Sequence, residues 1–217
     1  IIDTIKKLLI QFEKKSSITT KLFSYLGLTS AVWSTARYDV LARESYGKNA
    51  IAFRSIDYIA KSVSGVNWNI YKKVGDKRET VLDHPIANLL IRPNQKTSWN
   101  TFTSNVISYL LMQGNAYIER VSPQTGPNMG MPKELYSPRP DRITIELSDS
   151  GEVKLYKYRV GGRYATWEVE KDGSCNLLHI KLFNPLDDFY GNAITSSISR
   201  EIDISNEATE WNKKLLQ

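Results

Sequence analysis

The sequence contains few of the residues that build disulfide frameworks and metal centres. Its 217 residues include one cysteine, Cys175, and two histidines, His84 and His179. This count excludes an intrachain disulfide, and no cluster offers four Cys or His ligands to a metal. No apolar run approaches the ~20 residues that span a bilayer, and the opening Ile1-Ile2-Asp3 does not have the pattern of a secretory signal. We therefore expect a soluble protein with no metal site, no cofactor and no membrane partner, suited to a reducing compartment.

The motifs of the common enzyme classes are also absent from the sequence. No serine lies in a nucleophile elbow, and neither an H-E-x-x-H pattern, a Walker A loop nor a G-x-G-x-x-G fingerprint occurs. The sequence therefore lacks the residues that acyl transfer, zinc-dependent hydrolysis and nucleotide-driven work require. His84 stands before Pro85 at a predicted helix start, and His179 lies within a predicted strand. We interpret both as structural histidines and predict no catalytic residue.

The charge of the chain favours acidic partners. The net charge is +6 and the sequence pI is about 9.2, a balance that suits contact with nucleic acid but does not locate the contact. The basic residues are dispersed, and the first segment is rich in lysine: Lys6, Lys7, Lys14, Lys15 and Lys21. The last predicted helix is slightly acidic through Glu201, Asp203, Glu207 and Glu210. This asymmetry indicates surfaces with different roles.

Periodicity divides the chain into three segments. Residues 1–28 are predicted to form a basic amphipathic helical arm, 29–48 a linker, and 49–217 one α+β domain. The apolar face of the arm consists of Ile5, Leu8, Leu9 and Phe12. Because that face is short and interrupted, packing on the domain or on a neighbouring subunit suits it better than a membrane surface. Ile1 is not an initiator methionine and Gln217 lies inside a helical pattern, so we expect a chain cut short at both ends.

The third segment has the pattern of an α+β domain. Helices are predicted at Asn49–Val63, from Ser98 to Gln113, and from Ile194 onward, and a short strand at Trp68–Tyr71. Alternating apolar and polar residues predict further strands at 143–147, 153–158, 164–169 and 177–182. The expected order is helices first, then a β meander, then a closing helix.

The most informative stretch is a helix that passes directly into a strand. Phe102 and Val106 belong to an apolar stripe with helical spacing, and the strand-like Ala116–Val121 follows at once. Gly114 can adopt the left-handed conformation that ends a helix, and the short polar Asn115 tolerates a tight exit into the strand. The sequence therefore predicts a packed structural joint at this point.

Two motifs resemble segments of tailed-phage portal proteins of the HK97-like family. Residues 110–118, Leu-Leu-Met-Gln-Gly-Asn-Ala-Tyr-Ile, resemble the family's L-x-x-x-G-N-A-Y segment. Residues 178–181, Leu-His-Ile-Lys, resemble its L-H-I strand. They are followed, in the family order, by an acidic-glycine loop at 187–191 and a helix.

Further matches extend the resemblance over most of the chain from Asn49 to Leu216. Residues 84–94 resemble the family's short helix and turn, and residues 49–63 resemble its opening helix. One departure occurs at Asn192-Ala193, where many members carry Ser-Pro. This departure weakens the helix-start signal, while the turn before it is kept.

The resemblance implies a fold and a function. It implies a portal wing-type domain and a subunit of a dodecameric ring at one capsid vertex, located in the virion and assembled in the host cytoplasm. Such a ring is the conduit for double-stranded DNA during packaging and ejection, and contacts the DNA non-specifically. The implied protein partners are the major capsid protein, the large terminase and the head–tail connector. We treat five positions of the motifs as scaffold residues: Gly114, Asn115, Tyr117, His179 and Gly191.

A metal-dependent nuclease is the enzymatic alternative. Asp141, Glu152 and Lys154 resemble the PD…ExK signature, in which two acidic side chains hold the metal and the lysine assists. If the two flanking strands pair across a four-residue turn, Glu152 lies roughly 20 Å along the strand from Asp141 at ~3.3 Å per residue. A hairpin with charged residues on its solvent face is the simpler interpretation. A third hypothesis is another virion or adaptor protein that shares the α+β unit.

Overall fold

The structure is a computed structural model that describes residues 42–81, 84–127 and 129–216. The predicted arm, residues 1–28, lies outside the described residues, as do residues 29–41 of the predicted linker. The last residues of that linker, Ala42–Lys48, form a π-helical turn instead of an irregular segment.

The described residues contain helices and antiparallel strands, which confirms the predicted α+β class. The helices are α1 (Ala50–Ser64), α2 (Pro85–Ile91), α3 (Trp99–Gln113), α4 (Ile194–Ser197) and α5 (Ser199–Leu215). The strands are β1 (Tyr71–Val74), β2 (Lys77–Thr80), β3 (Asn115–Val121), β4 (Glu134–Tyr136), β5 (Ile143–Leu147), β6 (Val153–Val160), β7 (Arg163–Glu168) and β8 (Leu177–Lys181). Within the described ranges, none of the helices combines the length and the hydropathy that a bilayer crossing requires.

The described chain forms two compact units. Residues 143–175 form the smaller one, here called the sheet unit, and the other described residues form the joint unit. The joint unit holds the β1–β2 hairpin and a three-stranded sheet in the order β4-β3-β8. The sheet unit consists of β5, β6 and β7 as an antiparallel meander.

Helices α1 and α3 form the helical layer of the joint unit and pack against each other. Asn49 caps α1 because its side-chain oxygen accepts from the backbone N–H groups of Ile51 and Ala52. Ser98 caps α3 in the same way by accepting from the Thr101 N–H. The buried stripe of α1 consists of Ala52, Ile56, Ala60 and Ser64. The helical period predicts Ile59 and Val63 beside Ala52 and Ile56, and this was wrong, because both side chains are exposed.

The core of the joint unit lies where α3 meets the sheet. Phe102 and Val106 on α3 and Ala116 on β3 form a buried cluster. Partly buried apolar side chains surround the cluster: Trp99, Tyr109, Leu110, Ile118, Leu135 and Ile180. Helix α3 and strand β3 are consecutive in sequence and share one core, so the turn between them must be tight.

The sheet unit folds as its alternating pattern predicts. Ile143 and Ile145 on β5 and Tyr156 on β6 are buried, and the residues between them face outward or lie half-exposed. Ser148 begins the connecting turn and donates its backbone N–H to the Glu152 carbonyl. A register irregularity at Glu146 and Leu147 accompanies that turn.

Two further local predictions were wrong. The strand expected from Trp68 begins three residues later at Tyr71. The first residue pair of the β1–β2 ladder is Tyr71 with Thr80. Trp68 is 56% exposed and packs edge-on against Trp99, with ring centroids 5.9 Å apart. The single long helix expected from Ile194 is divided at Ile198 (φ −109°, ψ 15°), and no side chain caps the start of α4.

Candidate functional site: the α3–β3 joint

The turn between α3 and β3 depends on a left-handed glycine. Gly114 has φ 72° and donates its N–H to the Leu110 carbonyl at 2.8 Å, which closes the helix. Its carbonyl oxygen accepts the Leu182 N–H at 2.8 Å. The turn is therefore hydrogen-bonded both to its own helix and to the residue that follows β8.

The loop before α4 passes against this turn at very short range. A Cβ added at Gly114 would lie 2.5 Å from the Asn192 carbonyl carbon and 2.6 Å from that of Gly191. A Cβ added at Gly191 would overlap the Gly114 carbonyl group and lie 2.7 Å from the Leu182 nitrogen. Only glycine at both positions allows the two backbones to approach this closely.

The side-chain amide of Asn115 holds the α3–β3 turn and the loop before α4 together, and it uses both of its donors and both of its acceptor positions. The side chain is fully buried. Its Nδ2 donates to the carbonyls of Gln113 (2.9 Å) and Gly191 (3.2 Å). Its Oδ1 accepts the Gly191 N–H at 2.8 Å and lies 2.9 Å from Nε2 of His179. An amide with two donors and two acceptor positions is thereby satisfied in the interior, where an unpaired polar group would be costly.

The register of the sheet brings His179 to this amide. Tyr117 on β3 pairs with His179 on β8, and their rings stack with centroids 4.4 Å apart and an interplanar angle of 17°. Because Oδ1 of Asn115 can only accept, we assign the proton of His179 to Nε2. Burial, with a smaller contribution from Lys181, lowers the pKa of His179 to about 4. The imidazole is therefore neutral at pH 7 and serves as a hydrogen-bond donor.

The acidic-glycine loop is ordered by its own side chains. Oδ1 of Asp187 accepts the backbone N–H groups of Phe189 (2.7 Å) and Tyr190 (3.1 Å), which is an Asx turn. Asn184 donates through Nδ2 to the Tyr190 carbonyl at 2.9 Å. Lys181 donates to the Asp188 carbonyl. Asp187 thus stabilises the loop that delivers Gly191 to the joint.

A final hydrogen bond ties α4 to the end of α3. The buried hydroxyl of Thr195 donates to the Met112 carbonyl at 2.8 Å. This carbonyl belongs to the last turn of α3, where helix carbonyls lack intrahelical partners. The joint therefore connects α3, β3, β8 and α4.

The structure brings together all five residues singled out in the sequence: Gly114, Asn115, Tyr117, His179 and Gly191. Sequence reasoning missed Leu182 and Thr195. Neither carries a local signal, because each binds a backbone carbonyl more than sixty positions earlier in the chain. The Asn184-Pro185 dipeptide carries a turn signal and predicts a loop before Gly191, but not the hydrogen bond from Asn184 to Tyr190.

The two acidic residues of the nuclease alternative each have a local structural setting within their own unit. Asp141 receives two hydrogen bonds from the Arg139 guanidinium, at 3.0 and 2.8 Å. Glu152 lies at the turn end of the β5–β6 hairpin, next to Ser148. Within the part of the chain that the structure describes, no group of three or more His, Cys, Asp or Glu residues could hold a metal ion.

The chemistry of the joint is that of a structural site. The Asn115 amide is fully paired, His179 is neutral and hydrogen-bonded, and the space beside Gly114 and Gly191 is filled by backbone. What the arrangement provides is a fixed angle between a helix, a sheet and the helices that follow. These features define a structural element of the fold.

Comparison with protein families identifies the family of this chain. A family model described as phage portal protein matches residues 50–217, so the chain belongs to the phage portal protein family. This confirms the family that the sequence motifs resemble.

Two curated relatives cover nearly the whole chain. An uncharacterized protein of Rickettsia bellii (strain RML369-C) is 29% identical over 202 residues, which are 93% of this chain and 50% of the relative. An uncharacterized protein of Rickettsia felis (strain ATCC VR-1525 / URRWXCal2) is 28% identical over 201 residues, which are 92% of this chain and 50% of the relative. The chain thus spans about half the length of the curated relatives it matches.

Solved structures of gene transfer agent particles contain the same fold. A chain in the virion of the native particle has a TM-score of 0.71 and 29% identity, and the match covers 86% of this chain and 47% of that one. A chain in the neck of the empty particle, computed with C6 symmetry, has a TM-score of 0.72 and 30% identity, and the match covers 85% of this chain and 47% of that one. A chain in the neck of the native particle, computed with C12 symmetry, has a TM-score of 0.71 and 30% identity, and the match covers 85% of this chain and 46% of that one. Family and neighbours together support a structural role.

Proposed function

We propose that this chain is part of a portal subunit that assembles into a dodecameric ring at a capsid vertex. The ring is the conduit for DNA during packaging and ejection, and the docking platform for the large terminase and the head–tail connector. The observation that carries the proposal is the family match over residues 50–217. The similarity to chains from particle necks, one of them computed with C12 symmetry, supports the ring.

The physical properties of the chain fit a conduit. A pore around a moving polymer works best with many weak phosphate contacts, because tight or sequence-reading contacts would hold the DNA in place. The dispersed positive charge, +6 overall, suits such contacts. The joint supplies rigidity, since four elements are fixed by buried hydrogen bonds at one point. The same proposal places the protein in the virion, in contact with the major capsid protein, after assembly in the host cytoplasm.

The predicted segments of the chain have separate roles in this proposal. Residues 49–217 supply the wing-type domain, residues 1–28 a basic helical arm, and residues 29–48 the connection between them. The arm packs on the domain or on a neighbouring subunit.

Electron microscopy of the purified full-length protein tests the proposal. We expect class averages of rings with twelvefold symmetry and a native mass of twelve subunits. A protein that stays monomeric or dimeric across concentrations and salt conditions would contradict the ring. The same preparation should leave supercoiled plasmid intact in the presence of magnesium. Nicking that disappears in Glu152→Ala would instead favour the nuclease.

A further inference from the structure

Among the described residues, two apolar surfaces of the joint unit have nothing packed over them. The first is a groove between α1 and the α4–α5 segment, with a volume of about 320 Å³. Ala52, Ile56 and Ile202 lie at its base and are buried. Its walls carry exposed isoleucines: Ile51, Ile59, Ile194 and Ile198. Contiguous exposed apolar surface of this kind marks an interaction site in a soluble protein.

The second surface is a stripe along the outer face of α5. It consists of Ile204, Ala208, Trp211 and Leu215. Ile204 is 60% exposed and Trp211 and Leu215 are each 64% exposed. The spacing of four, three and four residues places these side chains in one row, as in the seam of two packed helices. We call this row the α5 stripe.

The groove and the α5 stripe lie on different faces of the same helix. Ile198, Ile202 and Ser205 line the groove, and at 3.6 residues per turn they lie about a third of a turn from the row that begins at Ile204. One subunit can therefore use both surfaces at once. A cyclic ring requires this property, because each subunit must present two different, complementary surfaces to its two neighbours.

Charge complements the apolar match. Beside the α5 stripe runs a row of exposed acidic residues: Asp203, Glu207 and Glu210. On α1, the exposed Arg54 is adjacent in sequence to Ser55, which lines the groove, whereas Lys61 is paired with Asp57 at 2.9 Å. An acidic helix face laid along α1 meets opposite charge at Arg54, while the acidic Glu201 in the groove opposes an approach of that face to the α5 wall.

We infer that the α5 stripe of one subunit packs into the α1/α4/α5 groove of the next copy of this chain. The inference rests on the proposed ring and names the contact that joins its subunits. It assigns the isoleucines of the groove and Trp211 to the buried centre of that contact, where large apolar side chains contribute most. The acidic row and Arg54 lie at its rim.

Crosslinking of the full-length protein tests the contact directly. Ser55 in the groove and Ala208 in the stripe are both exposed and small, so both tolerate cysteine. In a Cys175→Ser background, we expect S55C/A208C treated with a short bis-maleimide to give a ladder of covalent multimers on a denaturing gel. Each single cysteine variant is the matched control and should give no species larger than a dimer, because chain growth needs two different sites.

The outcomes separate this inference from the proposed function. Rings in the microscope together with a ladder support both. Rings without a ladder overturn the contact and leave the ring standing; the α5 stripe is then covered by another part of the same chain, or the groove by the arm. Absence of rings and of the ladder contradicts the proposed function itself.

A charge variant gives an independent measurement. Trp211→Glu changes an exposed side chain, so the subunit should stay folded by circular dichroism, while ring particles fall at least tenfold in number. Val74→Glu on the β1–β2 hairpin, 49% exposed in the parent, is the control and should keep its rings. Normal ring formation by Trp211→Glu would overturn the contact.

Discussion

Replacing Gly114 with alanine tests the central claim about the joint. The residue has φ 72°, a conformation that costs a residue with a Cβ about 1–2 kcal/mol. The new methyl would also lie 2.5 Å from the Asn192 carbonyl carbon and 2.6 Å from its oxygen. These atoms are backbone and cannot rotate away as a side-chain tip could, so the loop must shift, at a further cost of about 1–3 kcal/mol. We expect Gly114→Ala to lower the free energy of unfolding by about 2–5 kcal/mol.

Gly75→Ala is a matched control within the same unit. Gly75 in the β1–β2 turn has φ 61°, and a Cβ there would have no atom within 4 Å. Its replacement therefore incurs the conformational cost alone, about 1–2 kcal/mol. The difference between the two variants isolates the close approach of the two backbones at the joint.

Urea denaturation followed by circular dichroism measures both variants, and hydrogen exchange locates the effect. In Gly114→Ala, the exchange of backbone amides should rise in β3, β8 and the loop before α4. The sheet unit should keep the exchange rates of the parent. Equal losses of stability in Gly114→Ala and Gly75→Ala would refute the close approach as the reason for glycine at this position.

Three further predictions concern the same joint. Asn115→Ala should cost at least about 3 kcal/mol in urea denaturation, because it leaves several buried groups without partners. The pKa of His179 is about 4 in the folded chain against an ordinary 6.5, so its contribution to stability is present above pH 6.5 and is lost as the pH falls toward 4. Over that range it amounts to about 3 kcal/mol, and His179→Gln, which keeps a donor but does not titrate, should show a flatter pH dependence of stability. Gln113 is buried, and its amide has no hydrogen-bond partner among the described residues, so Gln113→Met should leave stability unchanged or raise it by about 1 kcal/mol; a marked loss would reveal an unrecognised role.

Local features of the fold follow from the sequence. The apolar stripe of α3, the cap at Ser98 and the exit at Gly114 are all determined within a few positions, so periodicity and turn chemistry suffice to predict them. The β5–β6 hairpin is equally local, since its strands lie on either side of a short turn. At Trp68 such local reasoning gives the wrong result. Alternation predicts a strand around it, but the β1–β2 pairing begins later, and tertiary packing against Trp99 decides its position.

The site itself depends on contacts that sequence separation hides. Asn115 bonds both the N–H and the carbonyl of Gly191 across 76 positions, and no periodicity within either segment predicts this. The glycine at position 191 signals a turn in the sequence, whereas the structure requires it for close approach to Gly114. Family motifs identify both positions, and the physical reason for them is visible only in three dimensions.

The joint and the groove are mechanically connected. Thr195 fixes α4 to the end of α3 through the Met112 carbonyl, and α4 and α5 form one wall of the groove while α1 forms the other. The hydrogen bonds of the joint therefore set the width of the groove, which Thr195 itself lines. In a ring, a small error in that width is repeated at every interface and opposes closure. A variant of Thr195 that stays folded, such as Thr195→Val, should consequently impair ring formation more than its modest loss of monomer stability would explain.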